Sequence, residues 1–122
     1  MRFLLDSDAL LQWMIEGRFA RGVQHRVERA GAAVSAVSAY ELMFKQQRGR
    51  LRMPVPVSEA IDAQSFRSLP ITVAHTELAA RLPLHHRDPF DRILVAQSQI
   101  ESLTIVSRDE VFDAYDVEVV RF

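Results

Sequence analysis

The stretch "RFLLDSDALLQWMIE", residues 2–16, decides the fold class. The apolar run up to Leu5 stops at Asp6 and predicts a buried strand over residues 2–5. Residues 8–16 carry apolar side chains at helical spacing, and Gly17 marks the end of that helix. A buried strand followed at once by a helix is typical of a parallel α/β sheet, in which helices connect the strands.

The rest of the chain repeats this alternation. Helices are predicted over residues 20–30, 39–48, 58–67, 75–82 and 89–100, with a short helical turn over 109–114. Strands are predicted over 33–36, 69–73, 103–107 and 117–120. Parallel strands joined by right-handed helical crossovers predict a three-layer α/β/α sandwich with a central parallel sheet. At 122 residues, a single domain covering 1–122 is expected.

Composition excludes several classes of protein. The chain is 48% hydrophobic and 25% charged, as is usual for soluble globular proteins. It has no cysteine, which excludes disulfides, thiolate zinc sites and cysteine nucleophiles. No apolar stretch approaches the roughly 20 residues that span a bilayer. The N-terminus turns acidic too early for a secretory signal. A cytoplasmic location without a membrane partner is therefore expected.

The charge of the chain is a weaker indication of function than its composition. The net charge of −1 does not by itself indicate a nucleic-acid-binding protein. The segment "KQQRGRLR", residues 45–52, nevertheless carries four basic residues and no acid. It is interpreted either as a solvated helix end and loop or as a surface that contacts a phosphate backbone.

Acidic residues recur where the predicted strands end and the helices begin: Asp6, Asp8, Glu41, Asp88, Asp91 and Asp109. Helix capping explains many of them singly. "SAYE" (38–41), "DPFD" (88–91) and "SRDE" (107–110) have the spacing of a capping box. Asp88 before Pro89 is suited to an N-cap with proline at the first helical position. Capping does not explain Asp6, whose charge would be unfavourable beside a buried strand unless paired.

Taken together, the acids indicate a metal site. The carboxyl ends of parallel strands face one crevice, which is where ligands bind in open α/β sheets. Several carboxylates there would repel one another unless a cation neutralised them. Oxygen ligands without cysteine suit Mg²⁺ or Mn²⁺ rather than zinc. Such a metal can activate water and stabilise phosphoryl displacement, so the sequence predicts a metal-dependent phosphodiesterase.

At these residues the chain resembles the PIN-domain ribonucleases, and among them the VapC-type toxins of bacterial toxin–antitoxin pairs. The resemblance runs through "LLDSDALLQW", "VSAVSAYELMFKQQRGRLRMP", "LPLHHRDPFDRILVAQ" and "IVSRDEVFDAYDVEVV", which together cover most of the chain. It implies a PIN-like parallel-sheet sandwich that binds Mg²⁺ or Mn²⁺ and cuts single-stranded or looped RNA, with tRNA or rRNA as the expected substrate.

The resemblance also implies roles for individual residues. The expected catalytic and metal-binding acids are Asp6, Glu41, Asp91 and Asp109, with Asp6 a direct ligand and Asp109 the most weakly placed. Ser107 stands where the family commonly has a residue that orients water or phosphate, and Arg92 is a further candidate for phosphate contact. Asp8 is a mild departure from the family that could add a ligand oxygen or cap its helix; the cap is the preferred interpretation, as it is for Asp88.

The histidines are given smaller roles. His85 and His86 are interpreted as exposed loop side chains or partners of an acid, with proton donation to the leaving group as the alternative. His25 and His75 are interpreted as structural.

The resemblance further implies partners. A VapB-like antitoxin is expected to lay its C-terminal segment across an apolar groove on the early helices and to direct a basic side chain into the acidic site. Trp13, Met14 and Phe44 lie on helices expected to pack beside that site, although the core is the default place for such residues. A homodimer is implied as well.

Two other functions stay open. A haloacid-dehalogenase-type phosphatase would use the D-x-D of "LLDSD" as its nucleophile motif, but it needs a lysine in the cleft. The only lysine, Lys45, falls in a helix and in the wrong segment for that reaction. The second alternative is a non-catalytic binding module of the same fold, whose acids only cap helices or dock a basic peptide.

Overall fold

A computed structural model describes residues 2–19 and 21–122. Within these ranges the strands are β1 (Phe3–Leu5), β2 (Ala32–Ser35), β3 (Arg67–Leu69), β4 (Thr104–Val106) and β5 (Val119–Val120). The helices are α1 (Ser7–Glu16), α2 (Arg21–Ala30), α3 (Ala36–Gln47), α4 (Val57–Asp62), α5 (Val73–Arg81) and α6 (Pro89–Glu101), followed by a 3₁₀ helix (Glu110–Ala114). The strands form one sheet in the order β3-β2-β1-β4-β5, with every neighbouring pair parallel.

The core lies on both faces of the sheet. Successive residues of β1 point to opposite faces, so Phe3 and Leu5 belong to one buried cluster and Leu4 to the other. The first cluster includes Leu10 of α1, and the second includes Val95 of α6. A sheet covered on both faces confirms the predicted three-layer α/β/α sandwich.

Strand order determines where a ligand can bind. From β1 the chain moves outward through β2 to β3, and then crosses to β4 on the other side of β1. The order therefore reverses between β1 and β4. In open α/β sheets, the crevice beyond the carboxyl ends of strands at such a point is the usual ligand site.

Two predicted elements were wrong. The helix predicted over 58–67 ends at Asp62, and the strand predicted over 69–73 is instead β3, Arg67–Leu69, paired with β2. Pro70 has no N–H for a strand ladder, so β3 ends before it. Thr72, which the sequence placed in that strand, accepts a hydrogen bond from His75 N at 3.2 Å and caps α5.

Helix α3 starts at Ala36, three residues before the predicted start. Ser35 is its N-cap and accepts from Val37 N at 3.1 Å, so the capping box predicted at 38–41 is not formed. The other predicted elements exist with bounds shifted by one or two residues, and the first residue of the predicted helix 20–30 lies outside the described residues.

Along the described part of the chain, no helix combines the length and the apolar character needed to cross a lipid bilayer.

Candidate active site

A cleft of about 420 Å³ opens at the carboxyl edge of the sheet. All four acids predicted as catalytic line it, and so do two of the chain's basic residues. The lining residues are Asp6, Ser7, Asp8, Leu11, Glu41, Leu42, Lys45, Asp88, Asp91, Arg108 and Asp109. The fold thus brings together residues from four separate segments of the sequence.

Asp6 directly follows β1 and is only 7% exposed. Its Oδ1 accepts a hydrogen bond from Ala9 N at 2.7 Å, so Asp6 is the N-cap of α1. The expectation that capping cannot explain Asp6 was therefore wrong. Burial raises the pKa of Asp6 to about 6, helped by the charges of Asp8 and Asp109, while hydrogen bonds from Ser107 and Ala9 oppose the rise.

Asp91 lies in the first turn of α6. Its Oδ2 is 3.0 Å from Nε2 of His86. Burial, and then the charges of Asp88 and Asp109, raise the pKa of Asp91 to about 6 although His86 lowers it. The cleft therefore holds two acids whose ionisation is opposed by their surroundings, as is common at functional sites.

His86 and Asp88 lie closer to Asp91 than the sequence indicated. Ligand atoms of these three residues all fall within 4.8 Å of one another. Asp88 also fulfils its predicted role as a cap, since its Oδ1 accepts from Phe90 N at 2.8 Å. The motif "HHRDPFD" contains all three residues, but only the three-dimensional path of the loop brings the imidazole onto the carboxylate.

Glu41 lies on α3 and accepts two hydrogen bonds at the cleft. Ser7 Oγ donates to its Oε2 at 2.8 Å, and Lys45 Nζ lies 3.2 Å from the same oxygen. Lys45 is thus in the cleft, contrary to the sequence argument that placed it in the wrong segment. Lys45 lies one turn after Glu41 on α3, so the helix that brings Glu41 to the cleft brings Lys45 there as well.

Ser107 and Asp109 follow β4. Ser107 is fully buried, and its Oγ accepts from Asp109 N at 2.9 Å. The Oδ1 of Asp109 in turn accepts from Val111 N at 3.0 Å and caps the 3₁₀ helix. A water- or phosphate-orienting role for Ser107 stays a prediction, because its observed partners belong to the protein.

Asp8 makes an ion pair in place of the predicted cap. Arg108 donates to its two carboxylate oxygens at 2.7 and 3.2 Å. This bond raises the pKa of the Arg108 guanidinium. Sequence reasoning missed Arg108, although it stands in "SRDE" between two predicted site residues.

Arg92 does not face a phosphate site, so that prediction was wrong. Its side chain is buried, and its two terminal nitrogens donate to four backbone carbonyl oxygens at 2.8–3.2 Å. The acceptors are Ala79, Leu82, Pro83 and His86. Arg92 therefore holds the loop that carries His86.

The remaining predicted residues lie outside the cleft lining. His75 is buried and exchanges hydrogen bonds with Thr72, which confirms a structural role. His85 packs its ring on Tyr115, and His25 is exposed on α2. Trp13 and Met14, both on α1, pack half-buried against the core, and the indole N–H of Trp13 donates to Gln64 Oε1 at 2.8 Å.

Among the described residues, the ligand atoms that all lie within 4.8 Å of one another belong to His86, Asp88 and Asp91, so only Asp91 of the four predicted acids is part of a close cluster. The four acids nevertheless offer donors that suit a hard divalent cation. Their donors are carboxylate oxygens, which Mg²⁺ and Mn²⁺ prefer. A bound cation would offset both the burial of Asp6 and the mutual repulsion of the acids, the two causes that raise the pKa values.

Comparison with known proteins gives concordant matches. The family model described as "PIN domain" matches residues 3–118. Ribonuclease VapC22 of Mycobacterium tuberculosis is 29% identical over 111 residues, which is 87% of this chain and 85% of that protein. VapBC2 from Rickettsia felis, bound to a promoter DNA fragment, contains a chain with a TM-score of 0.80 at 10% identity, covering 100% of this chain and 99% of that one. DNA-bound VapBC from Salmonella typhimurium gives 0.74 at 10% identity, covering 99% and 98%. At 10% identity, each of these two similarities shows that the fold is shared with this chain.

Proposed function

Because this chain belongs to the PIN-domain family, we propose that it is a metal-dependent endoribonuclease, acting in the cytoplasm as the toxin of a toxin–antitoxin pair. The observation that carries the proposal is the cleft in which Asp6, Glu41, Asp91 and Asp109 converge, with Asp6 buried. Similarity to a protein named ribonuclease VapC22 supports the activity. The substrate would be single-stranded or looped RNA, with tRNA or rRNA as the expected class.

The four acids would hold Mg²⁺ or Mn²⁺. When bound, the cation supplies a Lewis acid that activates water and neutralises charge on the phosphodiester. The chain's own contribution is to orient the ligands. Ala9 N fixes Asp6, and His86 fixes Asp91, whereas Ser7 and Lys45 fix Glu41. Side chains held in this way lose little freedom when a ligand binds, which favours binding.

The proposed protein partner is a VapB-like antitoxin. The similar solved structures are VapBC complexes, which supports an antitoxin partner. A groove of about 280 Å³ between α1, α2 and residues 63–66, lined in part by Trp13, Val27 and Phe66, offers an apolar surface for a C-terminal antitoxin segment. A basic side chain on that segment would complement the acidic cleft. A homodimer remains part of the proposal.

A non-catalytic binding module is the second candidate. One observation favours it: each acid of the quartet already has a partner within the chain, whether as a cap or in a polar pair. The phosphatase alternative has no such support. Although Lys45 does line the cleft, the chain belongs to the PIN-domain family.

The proposal is tested by incubating the purified chain, freed of any antitoxin, with total tRNA and rRNA. We expect discrete cuts with Mg²⁺ or Mn²⁺, none with EDTA, and a loss of at least about a hundredfold in Asp91→Asn, because a metal ligand is removed. Asp62→Asn is the matched control, since Asp62 ends α4 away from the cleft lining. Equal cleavage by wild type and Asp91→Asn, or no cleavage by either, would contradict the ribonuclease.

A further inference from the structure

We propose that Arg108 binds a backbone phosphate of single-stranded RNA at the mouth of the acidic cleft. The sequence suggested Arg92 for phosphate contact, but the Arg92 side chain is used up on backbone carbonyls, whereas Arg108 lines the cleft. The inference rests on the proposed function, because it adds a substrate-binding residue to the site in which the acids would hold the cation.

The chain holds the side chain of Arg108 in two ways. Its Nε and Nη2 donate to the two carboxylate oxygens of Asp8 at 2.7 and 3.2 Å. Its guanidinium carbon lies 4.9 Å from the centroid of the Phe122 ring, which packs 5.3 Å from the ring of buried Phe19. The guanidinium is therefore fixed along one edge and over one face before any ligand arrives.

The contacts with Asp8 leave the other edge of the guanidinium for a ligand. An arginine has five N–H donors. Among the described residues, only Asp8 accepts hydrogen bonds from Arg108, and it takes the edge formed by Nε and Nη2. One N–H of Nη1 and the second N–H of Nη2 form a fork on the remaining edge. Two parallel N–H groups of this kind bind a phosphate through two oxygens.

Arg108 is better suited to this contact than Lys45, the other basic residue that lines the cleft in the described chain. The Lys45 ammonium lies 3.2 Å from Glu41, a proposed metal ligand, and a lysine offers a point charge without a fork. The Arg108 side chain is 56% exposed, whereas Asp6 is only 7% exposed. We therefore expect Arg108 to contact a phosphate next to the one at the cation.

Stability is a weaker explanation for the pair of Asp8 with Arg108. The Asp8 side chain is 46% exposed, and ion pairs between exposed side chains contribute little to folding. The same pair orients a long side chain in advance, so less conformational freedom is lost when a phosphate binds. In this proposal Asp8 is a positioning residue that acts through Arg108.

The test measures binding separately from cleavage. In an Asp91→Asn background with EDTA, the anisotropy of a labelled 12-nucleotide single-stranded RNA of mixed sequence gives the Kd between about 50 and 200 mM KCl. We expect Arg108→Gln to weaken binding about tenfold. It should also reduce the slope of log Kd against log [KCl] by about 0.7, because one phosphate contact is lost.

Two further variants separate a forked contact from charge in general. Arg108→Lys should keep the salt slope but bind about threefold more weakly, since the charge stays and the fork is lost. Arg29→Gln is the matched control, because Arg29 is exposed in the last turn of α2 and does not line the cleft. It should keep both the Kd and the slope of the parent.

A double-mutant cycle tests the positioning role of Asp8. Asp8→Asn removes a negative charge in either background, but it can disturb the fork only where Arg108 is present. We expect its effect on Kd to be about threefold more unfavourable with Arg108 than in Arg108→Gln. Equal effects in the two backgrounds would contradict the positioning role.

Each outcome decides the proposal. It is overturned if Arg108→Gln has the Kd and slope of its parent, if Arg29→Gln loses as much affinity as Arg108→Gln, or if the parent does not bind. The two proposals fail separately. If wild type cuts RNA and Arg108→Gln leaves KM unchanged, only the phosphate contact fails. If binding depends on Arg108 but wild type cuts no RNA, only the ribonuclease fails.

Discussion

At the scale of single residues, the surroundings of Asp6 act on its ionisation in opposite directions. As N-cap of α1 it accepts a hydrogen bond from Ala9 N, which favours the carboxylate. Its burial beside Asp8 and Asp109 favours the protonated form, and the net result is a pKa of about 6 in place of 3.8. The cation proposed above would favour the carboxylate form of Asp6.

We expect Asp6→Asn to stabilise the metal-free chain. The folded-state pKa lies above the unfolded value, so protonation at Asp6 stabilises the fold at low pH, and this contribution is lost as pH rises through about 6. In EDTA at pH 7.5, Asp6→Asn should exceed wild type by about 2–3 kcal/mol in the free energy of unfolding. The gain should be about 1–2 kcal/mol smaller at pH 5.

Urea unfolding at the two pH values measures this difference, with Asp62→Asn as the control for removal of an acid. Equal stability of wild type and Asp6→Asn at pH 7.5 would mean that the carboxylate is adequately solvated or paired without a cation.

Which single residues could be predicted depended on the range of their contacts. We could predict Asp6, Asp91 and Asp109 as site residues because strand ends and helix starts are local features of the sequence. Arg92 was misassigned because its partners are backbone carbonyls that lie between Ala79 and His86. A sequence does not show which backbone carbonyls a side chain will contact. The pairing of His86 with Asp91 confirms the interpretation of His86 as the partner of an acid, although the sequence did not show which acid, since that depends on the loop that Arg92 holds.

At the scale of elements, α6 has strong signals at its start and an unusual residue at its end. Asp88 caps it and Pro89 occupies the first turn, as predicted. Its C-cap, Ser102, has φ 56° and ψ 49°, and is the one non-glycine residue with positive φ in the described chain. L-residues are disfavoured in this left-handed region, which glycine occupies freely.

Ser102→Gly should therefore stabilise the chain by about 0.5–1 kcal/mol, because relief of backbone strain exceeds the added entropy of the unfolded chain. Thermal unfolding measures the effect as a rise in Tm of a few degrees. Ser102→Ala removes the same hydroxyl but keeps Cβ, so it should bring no gain. A gain of equal size in both variants would attribute the effect to the side chain and not to the backbone.

The elements that were predicted well are those with long periodic patterns or clear caps, such as α1 and α6. The failure at β3 has a physical reason. "LPITV" has β-forming residues, but Pro70 interrupts it and Thr72 serves α5. The actual strand, "RSL", has no apolar pattern and pairs with β2 only because the tertiary structure places it there.

At the scale of the whole molecule, strand order converts distant acids into one cleft. The parallel pairing of β4 with β1 brings Asp109 beside Asp6 across about 100 residues of sequence. The net charge of the chain, −1, does not indicate this arrangement. It is a sum in which the acidic residues of the cleft are offset by basic residues elsewhere, such as those at 45–52. The fold class followed from alternating elements, whereas the shape of the cleft required the crossover from β3 to β4.

The most direct measurement is the chemistry of the RNA ends produced by wild type in Mg²⁺. Hydrolysis by water activated at a carboxylate-held cation breaks the bond to the 3′ oxygen, and should leave 5′-phosphate and 3′-hydroxyl ends. These ends should be absent with EDTA and in Asp91→Asn. Ends carrying 2′,3′-cyclic phosphate, or cuts that persist in EDTA, would contradict a metal-dependent ribonuclease in this cleft.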